Sequence, residues 1–336
     1  AMSARELGAQ ILPRTECVGA RREDGIWHAT LSDGRTLTAR AIVNASGPWV
    51  KRLLNTQLSQ PSADAVRMVK GSHIVLPKLY DGDHAFILQN DDRRVVFMIP
   101  YEGRFTLVGT TDVPVDEPAS PAAAREEIDY LCRAASRYLA EPARPEQVVW
   151  QYAGVRPLYD DGSSDPSSVT RDYTLRVDDD AGRAPVLSVF GGKITTYRRL
   201  AEHAMEKLEP YFPACKGAWT ATAALPGSDF GPGGRPAAQE ALAARYPRLP
   251  GALMRALFRR HGAKTAELLG DAKDPADLGE DFGAHLTERE IAYFVEREWA
   301  RSAEDVLWRR TKAGLQMTDA QRARVAQRMD EHAPAR

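Results

Sequence analysis

Four short segments carry side chains of types that do chemistry. The run Val186-Leu187-Ser188-Val189-Phe190-Gly191-Gly192-Lys193-Ile194-Thr195-Thr196-Tyr197 reads as a buried strand that ends in two glycines and turns at once into a helix. Glycine lets backbone come close to a flat ring or a phosphate. A helix N-terminus offers unpaired N–H groups and roughly half a positive charge, and Lys193 adds a full charge at the same point. Such a place suits a developing anion, although a plain strand-to-helix turn with an exposed lysine has the same spacing. In Tyr152-Ala153-Gly154-Val155-Arg156-Pro157-Leu158, Arg156 stands among strand-forming apolar residues. A buried guanidinium needs an anion, and its planar fork suits a phosphate, a carboxylate ligand or an internal Asp or Glu. In Lys70-Gly71-Ser72-His73-Ile74-Val75-Leu76, His73 opens an apolar strand. It reads as a general base, an orienting donor or a satisfied structural histidine. Gly109-Thr110-Thr111-Asp112 follows a further strand and fits a strand-ending turn with an Asx-type hydrogen bond.

Other chemistries lack their parts. There is no HExxH, no Cys/His metal spacing, no GxSxG and no P-loop. Cys17, Cys132 and Cys215 lie too far apart for a CxxC pair, which points to a reducing compartment. The 336 residues carry 45 Lys and Arg against 46 Asp and Glu, so no global basic field draws nucleic acid. No apolar run approaches the roughly 18–20 residues of a membrane span, and the first residues, Ala1-Met2-Ser3-Ala4-Arg5-Glu6, lack the apolar core of a signal peptide.

Positioning these groups falls to a β-rich first two thirds. Strands are expected at 15–22, 25–31 and 35–43, with turns at Asp24-Gly25 and Asp33-Gly34. More follow at 72–76, 85–88, 94–99, 105–108, 152–158, 173–177 and 185–190, with a polar loop at 160–168. Ser120 as N-cap and Pro121 at the first helical position predict a helix whose apolar face is Ile128, Leu131, Ala135, Tyr138 and Leu139. After Lys193, the predicted helical stripe is Ile194, Tyr197, Ala201, Ala204 and Leu208. Pro226-Gly227 and the 231–236 run read as a linker. Beyond it the pattern is helical, with a capping-box signal at Thr287 and Glu290 and a similar one at Ser302 and Asp305. The basic amphipathic stretch 253–260 reads as an internal packing face, and Arg309-Arg310 as a solvated or salt-bridged run.

In this order, the segments resemble one family: the FAD-dependent glycerol-3-phosphate dehydrogenases of aerobic, respiratory type. The resemblance rests on Ile42-Val43-Asn44-Ala45-Ser46-Gly47-Pro48-Trp49-Val50, Val69-Lys70-Gly71-Ser72-His73-Ile74-Val75, Ala85-Phe86-Ile87-Leu88-Gln89-Asn90, Gly109-Thr110-Thr111-Asp112, Gly154-Val155-Arg156-Pro157-Leu158, Thr170-Arg171-Asp172-Tyr173 and Val189-Phe190-Gly191-Gly192-Lys193-Ile194-Thr195-Thr196-Tyr197-Arg198. The helical end joins it through Asp277-Leu278-Gly279-Glu280-Asp281-Phe282-Gly283 and Asp305-Val306-Leu307-Trp308-Arg309-Arg310-Thr311-Lys312. One feature departs: the family begins with a glycine-rich dinucleotide fingerprint, and no GxGxxG occurs here. The chain therefore resembles a member lacking the N-terminal part of its FAD-binding domain, and impaired FAD binding and turnover are expected of these residues alone.

The resemblance implies an α/β plus α fold. A partial FAD-binding α/β domain of the D-amino-acid-oxidase-like type spans 1–61 and 169–216, a mixed β-sheet substrate domain 62–168, and an all-helical C-terminal domain 217–336. It implies oxidation of sn-glycerol 3-phosphate to dihydroxyacetone phosphate, with FAD as cofactor and electrons passed to a membrane quinone, by a cytoplasmic enzyme held peripherally at the inner face of the cell membrane. A homodimer is left open, and no metal or nucleic acid is implied. The implied roles are His73 as proton acceptor, Lys193 as a catalytic and substrate-binding cation, and Arg156 as phosphate ligand. Ala45, Ser46, Gly47 and Trp49 with Gly191, Gly192, Lys193, Ile194 and Thr195 line the cofactor. Rivals are a glycerol-3-phosphate oxidase, another D-amino-acid-oxidase-like flavoenzyme, and a non-catalytic binding or assembly fragment.

Overall fold

A computed structural model of the chain describes residues 1–160 and 172–332. After a short helix α1 (Met2–Glu6) come strands β1 (Cys17–Glu23), β2 (Ile26–Leu31) and β3 (Thr36–Ala39), which form an antiparallel sheet. Asp24 and Gly25 both take positive φ at the first hairpin, which is why a short polar residue followed by glycine stands there. The third expected strand does not run unbroken to residue 43. It breaks at Arg40-Ala41, and β4 (Ile42–Asn44) joins a different sheet. A 3-10 turn (Gly47–Trp49) leads into one helical turn, α2 (Val50–Arg52).

Strand β5 (Val66–Pro77) is the spine of the largest sheet. With β6 (Phe86–Gln89), β7 (Val95–Tyr101), β8 (Phe105–Gly109), β9 (Val113–Pro114) and β10 (Trp150–Tyr159) it forms the order β10-β5-β8-β7-β6, and β9 also pairs with β5. Helix α3 (Arg125–Ser136) covers one face. Ile74, Leu76, Val96, Met98 and Val108 pack there against Leu131, Cys132 and Ala135. The opposite face is open. Strand β7 is apolar on both sides, so Val95, Phe97 and Ile99 remain exposed there with Ile87 and Tyr152.

The start of α3 differs from the expectation. Ser120 takes a positive φ and Pro121 lies outside the helix. The helix begins at Arg125, where the Glu127 side chain turns back to accept from the Ala124 N–H. Leu131 and Ala135 are buried as expected, while Tyr138 lies past the helix end and is exposed.

Strand β11 (Tyr173–Asp180) is antiparallel to β12 (Arg183–Gly191), and β12 runs parallel to β4 with Ser188 opposite Asn44. The Trp27 indole, fully buried, donates to the Pro185 carbonyl and ties the first sheet to this one. Helix α4 (Tyr197–Leu208) packs Leu200, Ala204 and Leu208 on Leu187 and Val189. The expected stripe is thus only partly right. A 3-10 turn (Ile194–Thr196) precedes α4, and its tighter pitch shifts the phase. Ile194 ends 88% exposed and Tyr197 56%. Most of the expected 160–168 loop, with Thr170 and Arg171, lies outside the described residues.

Residues 14–221 form one compact unit, and residues 1–13 group with 222–336 in another. The latter holds α5 (Gly234–Arg245), α6 (Gly251–His261), α7 (Thr265–Leu269), a small hairpin of β13 (Asp281–Gly283) and β14 (Leu286–Thr287), α8 (Glu288–Glu298) and α9 (Asp319–His332). The expected linker is packed structure: the Ala263 N–H donates to the Gly227 carbonyl, and Gly234 opens α5. Thr287 caps α8 by accepting from the Glu290 N–H. Leu253, Met254, Leu257 and Phe258 are buried, so the 253–260 stretch is an internal packing face. Arg309 and Arg310 pair with Asp305 and Glu298. No helix among the described residues is long and apolar enough to cross a membrane.

Candidate active site

His73 stands on the open face of the large sheet, between two neighbours set by strand register. On β10, Tyr152 lies opposite it and stacks on the imidazole, with centroids 4.8 Å apart and planes 5° from parallel. On β8, its partner is Gly109, and a Cβ there would run into the imidazole ring. The His73 Nδ1 is buried and has no hydrogen-bond partner among the described residues. A satisfied structural histidine has one. Burial, helped by the positive charge of Arg156, pushes the His73 pKa down to about 4. The ring is therefore neutral near pH 7 and able to accept a proton.

Arg156 lies on β10 opposite Val69, two residues along β5 from Gly71. A Cβ on Gly71 would overlap the guanidinium, so glycine is what lets the fork lie across β5. One arm of the fork forms an ion pair with Asp112. The other donates to Thr110 Oγ1 at 2.9 Å. Of the partners open to it on sequence, an internal carboxylate is thus present, and the guanidinium remains 33% exposed. The 109–112 segment is more than a strand-ending turn, since Asp112 takes Arg156. Neither Asp112 nor Tyr152 carries a local signal for its part: each meets its partner only through pairing of distant strands, 44 residues apart for Arg156 and Asp112.

The two cofactor-type segments end neighbouring parallel strands. β4 ends at Asn44 and β12 at Gly191, and the carboxyl ends of parallel strands are where such sheets bind ligands. Asn44 is buried. Its amide donates to the Val50 carbonyl at 2.9 Å, and its Oδ1 accepts from the Ser46 hydroxyl at 2.6 Å, fixing the loop. The Gly47–Trp49 turn packs against both β10 and β12. Gly191 and Gly192 both take positive φ. A Cβ on Gly191 would sit 3.2 Å from the Tyr159 nitrogen and 3.6 Å from the Pro157 carbonyl oxygen, beside the strand that carries Arg156. Ala45, Lys193, Ile194 and Thr195 are exposed at these strand ends, and Trp49 is partly so. The fold therefore gathers the Gly47 turn, the Gly191-Gly192 turn and β10, and separately pairs His73 with Arg156 on one sheet. Lys193 heads the 3-10 turn, outside that pair. The α-helix proper begins four residues after it, at Tyr197.

Residues 1–198 match the family described as FAD dependent oxidoreductase, and residues 218–334 match the C-terminal domain of alpha-glycerophosphate oxidase. This chain belongs to the FAD dependent oxidoreductases. Within them it falls among relatives of the glycerol-3-phosphate dehydrogenase group. It is 46% identical to a glycerol-3-phosphate dehydrogenase of Pseudomonas aeruginosa, over 100% of this chain and 66% of that protein. It is 44% identical to the aerobic glycerol-3-phosphate dehydrogenase of Escherichia coli, over 98% and 67%. A D-erythritol 1-phosphate dehydrogenase of Brucella abortus is 45% identical, over 98% and 67%. The chain thus spans about two thirds of the length of these relatives. The glycerol-3-phosphate dehydrogenase of Bacillus halodurans, solved with FAD, has the same fold, with a TM-score of 0.75 at 23% identity over 98% of this chain and 70% of that one.

FAD is the cofactor of this oxidoreductase family, and the residues present fit a flavin. Gly47, Gly191 and Gly192 leave side-chain-free backbone at the carboxyl ends of two parallel strands. The orphaned His73 Nδ1 leaves a polar atom unused on the open sheet face.

Proposed function

We propose that the protein oxidises sn-glycerol 3-phosphate at its secondary alcohol to dihydroxyacetone phosphate, with electrons leaving to a membrane quinone. The observation that supports this most is a neutral imidazole with an unpartnered Nδ1 and a half-buried guanidinium fork on adjacent strands. Bound FAD supplies the hydride acceptor. Arg156 binds the phosphate through a charge-assisted fork, held by Asp112 and Thr110. His73 accepts the alcohol proton. Its basicity rises as a phosphate dianion offsets the Arg156 charge that depresses it. Lys193 and the N–H groups of the turn after it stabilise negative charge at the strand ends, and Ala45, Ser46, Gly47, Trp49, Gly191, Gly192, Ile194 and Thr195 line the cofactor. With a quinone acceptor, the enzyme works peripherally at the inner face of the cell membrane.

A second reading has equal support from similarity: the Brucella abortus relative acts on D-erythritol 1-phosphate, another phosphate monoester of a polyol. The purified protein, carrying FAD, is mixed anaerobically with each substrate and flavin absorbance followed. Bleaching by glycerol 3-phosphate is expected. Bleaching by D-erythritol 1-phosphate alone transfers the assignment, and bleaching by neither overturns it. Peroxide in place of reduced quinone makes the enzyme an oxidase. Arg156→Ala is expected to weaken substrate binding by about 2–5 kcal/mol, and an unchanged KM removes Arg156 from the phosphate site.

A further inference from the structure

Beneath the sheet, on the side covered by α3, lies a carboxylate that the reaction as described does not use. Glu127 is 7% exposed. Its Oε1 accepts from the Thr111 hydroxyl at 2.6 Å and the Ser72 hydroxyl at 2.8 Å. Its Oε2 accepts from the Ala124 N–H at 2.9 Å and pairs with Lys70 Nζ at 2.8 Å. Burial pushes this carboxyl up, but Lys70, Thr111, the Ala124 N–H and Ser72 outweigh that and hold it below the usual carboxylate range. It is a fully hydrogen-bonded anion at neutral pH.

What this anion holds is the segment that aims Arg156. Strands β8 and β9 both pair with β5, Gly109 opposite His73 and Val113 opposite Lys70. Between these pairs, Gly71 and Ser72 of β5 face the three residues Thr110, Thr111 and Asp112. That one extra residue is a bulge, the device by which a strand re-aims its side chains. Thr111 points down: it is 1% exposed, accepts from the Ser72 N–H at 2.9 Å and donates to Glu127. Its neighbours Thr110 and Asp112 both reach the Arg156 guanidinium.

We propose that Glu127 is a positioning residue for Arg156: by pinning Thr111 below the sheet it aims Thr110 and Asp112 at the guanidinium, and so sets the affinity for a phosphate monoester. The segment Lys70-Gly71-Ser72-His73 then has a use for every residue. Lys70 and Ser72 hold Glu127, Gly71 makes room for the fork, and His73 faces the substrate. This rests on the reading of Arg156 as the phosphate ligand.

The test is a double-mutant cycle on the FAD-loaded protein, titrated calorimetrically with methyl phosphate, which carries the anion without an oxidisable secondary alcohol. Arg156→Ala is expected to weaken binding by at least about thirtyfold, and Glu127→Gln, which keeps shape but removes charge, by about tenfold. Adding Glu127→Gln to Arg156→Ala is expected to weaken it no further, because the carboxylate acts through the fork. An undiminished affinity in Glu127→Gln, or a tenfold loss that persists without Arg156, overturns the proposal while leaving Arg156 in place. An undiminished affinity in Arg156→Ala overturns the underlying reading instead. If Glu127→Gln does not fold, Thr111→Val replaces it, with the same loss expected and recovery in Thr111→Ser. No loss in Thr111→Val, or no recovery in Thr111→Ser, overturns the proposal equally.

Discussion

Two histidines, one buried and one half-buried, show how differently the two compact units use polar groups. In the helical unit, His261 is 7% exposed and donates from Nε2 to Glu290 at 2.7 Å, while Arg260 donates to the other oxygen of that carboxylate at 2.9 Å. Glu290 is fully buried, and Arg260 donates in addition to the His285 carbonyl at 2.6 Å. In the sheet unit, His73 has a buried nitrogen with no partner and is held by stacking on Tyr152 and by the missing Cβ of Gly109. The first ring is tied into packing by a buried carboxylate, whereas the second leaves its nitrogen unmatched beside an open sheet face, where a ligand can reach it.

The sharpest break in this contrast is predicted at Glu290. Glu290→Ala leaves the Arg260 guanidinium buried without its anion and is expected to destabilise the protein by about 3–5 kcal/mol, read by denaturant unfolding, with substrate affinity unchanged once folded. A loss under about 1 kcal/mol would place that cluster outside the stabilising core. The opposite pattern is expected at Gly71. Gly71→Ala drives a methyl group against the far end of the Arg156 side chain, which can swing away. Substrate binding weakens by about 1–2 kcal/mol, within the range of overpacking effects, with little change in Tm. A matching fall in Tm with KM preserved would make Gly71 a packing residue.

The smallest effect is a titration. The pKa of His73 in the folded protein, about 4, lies below its unfolded value near 6.5. Its neutral form is therefore favoured by folding. That contribution is fully present above pH 6.5 and is lost as pH falls through about 4. NMR titration of the ring is expected to give a midpoint near 4 that moves upward when methyl phosphate is bound. A midpoint near 6.5 in the free protein would return His73 to an ordinary solvated environment.

Much of this fold was legible locally. Asp24-Gly25 announced a hairpin because few other pairs tolerate positive φ in sequence, and Thr287 announced α8 because its hydroxyl meets an orphan N–H three residues on. The misreadings were also local. Ser120 and Pro121 outweighed Ala124 as a helix start because alanine gives no capping signal. Its N–H is satisfied instead by Glu127, the same carboxylate that reaches across to Thr111. The stripe after Lys193 slipped because one 3-10 turn changes the angular period before α4 begins.

At the site, residue types were readable and partnerships were not. His73, Arg156 and the glycine pair stand out because an imidazole, a guanidinium and flexible backbone are rare in otherwise apolar strands. Nothing local says that Asp112 meets Arg156, that Tyr152 lies on His73, or that Gly71 and Gly109 each vacate the volume another side chain fills.

By itself, the order of amino acids determined where the chain turns, which faces are apolar and which groups are able to do chemistry, because those depend on φ, ψ and side-chain type within a few residues. Only the tertiary structure decided which strand ends lie side by side, which charges are matched and which nitrogen is left unmatched. Those depend on strand register between segments tens of residues apart, where a slip of one position would send every side chain to the other face.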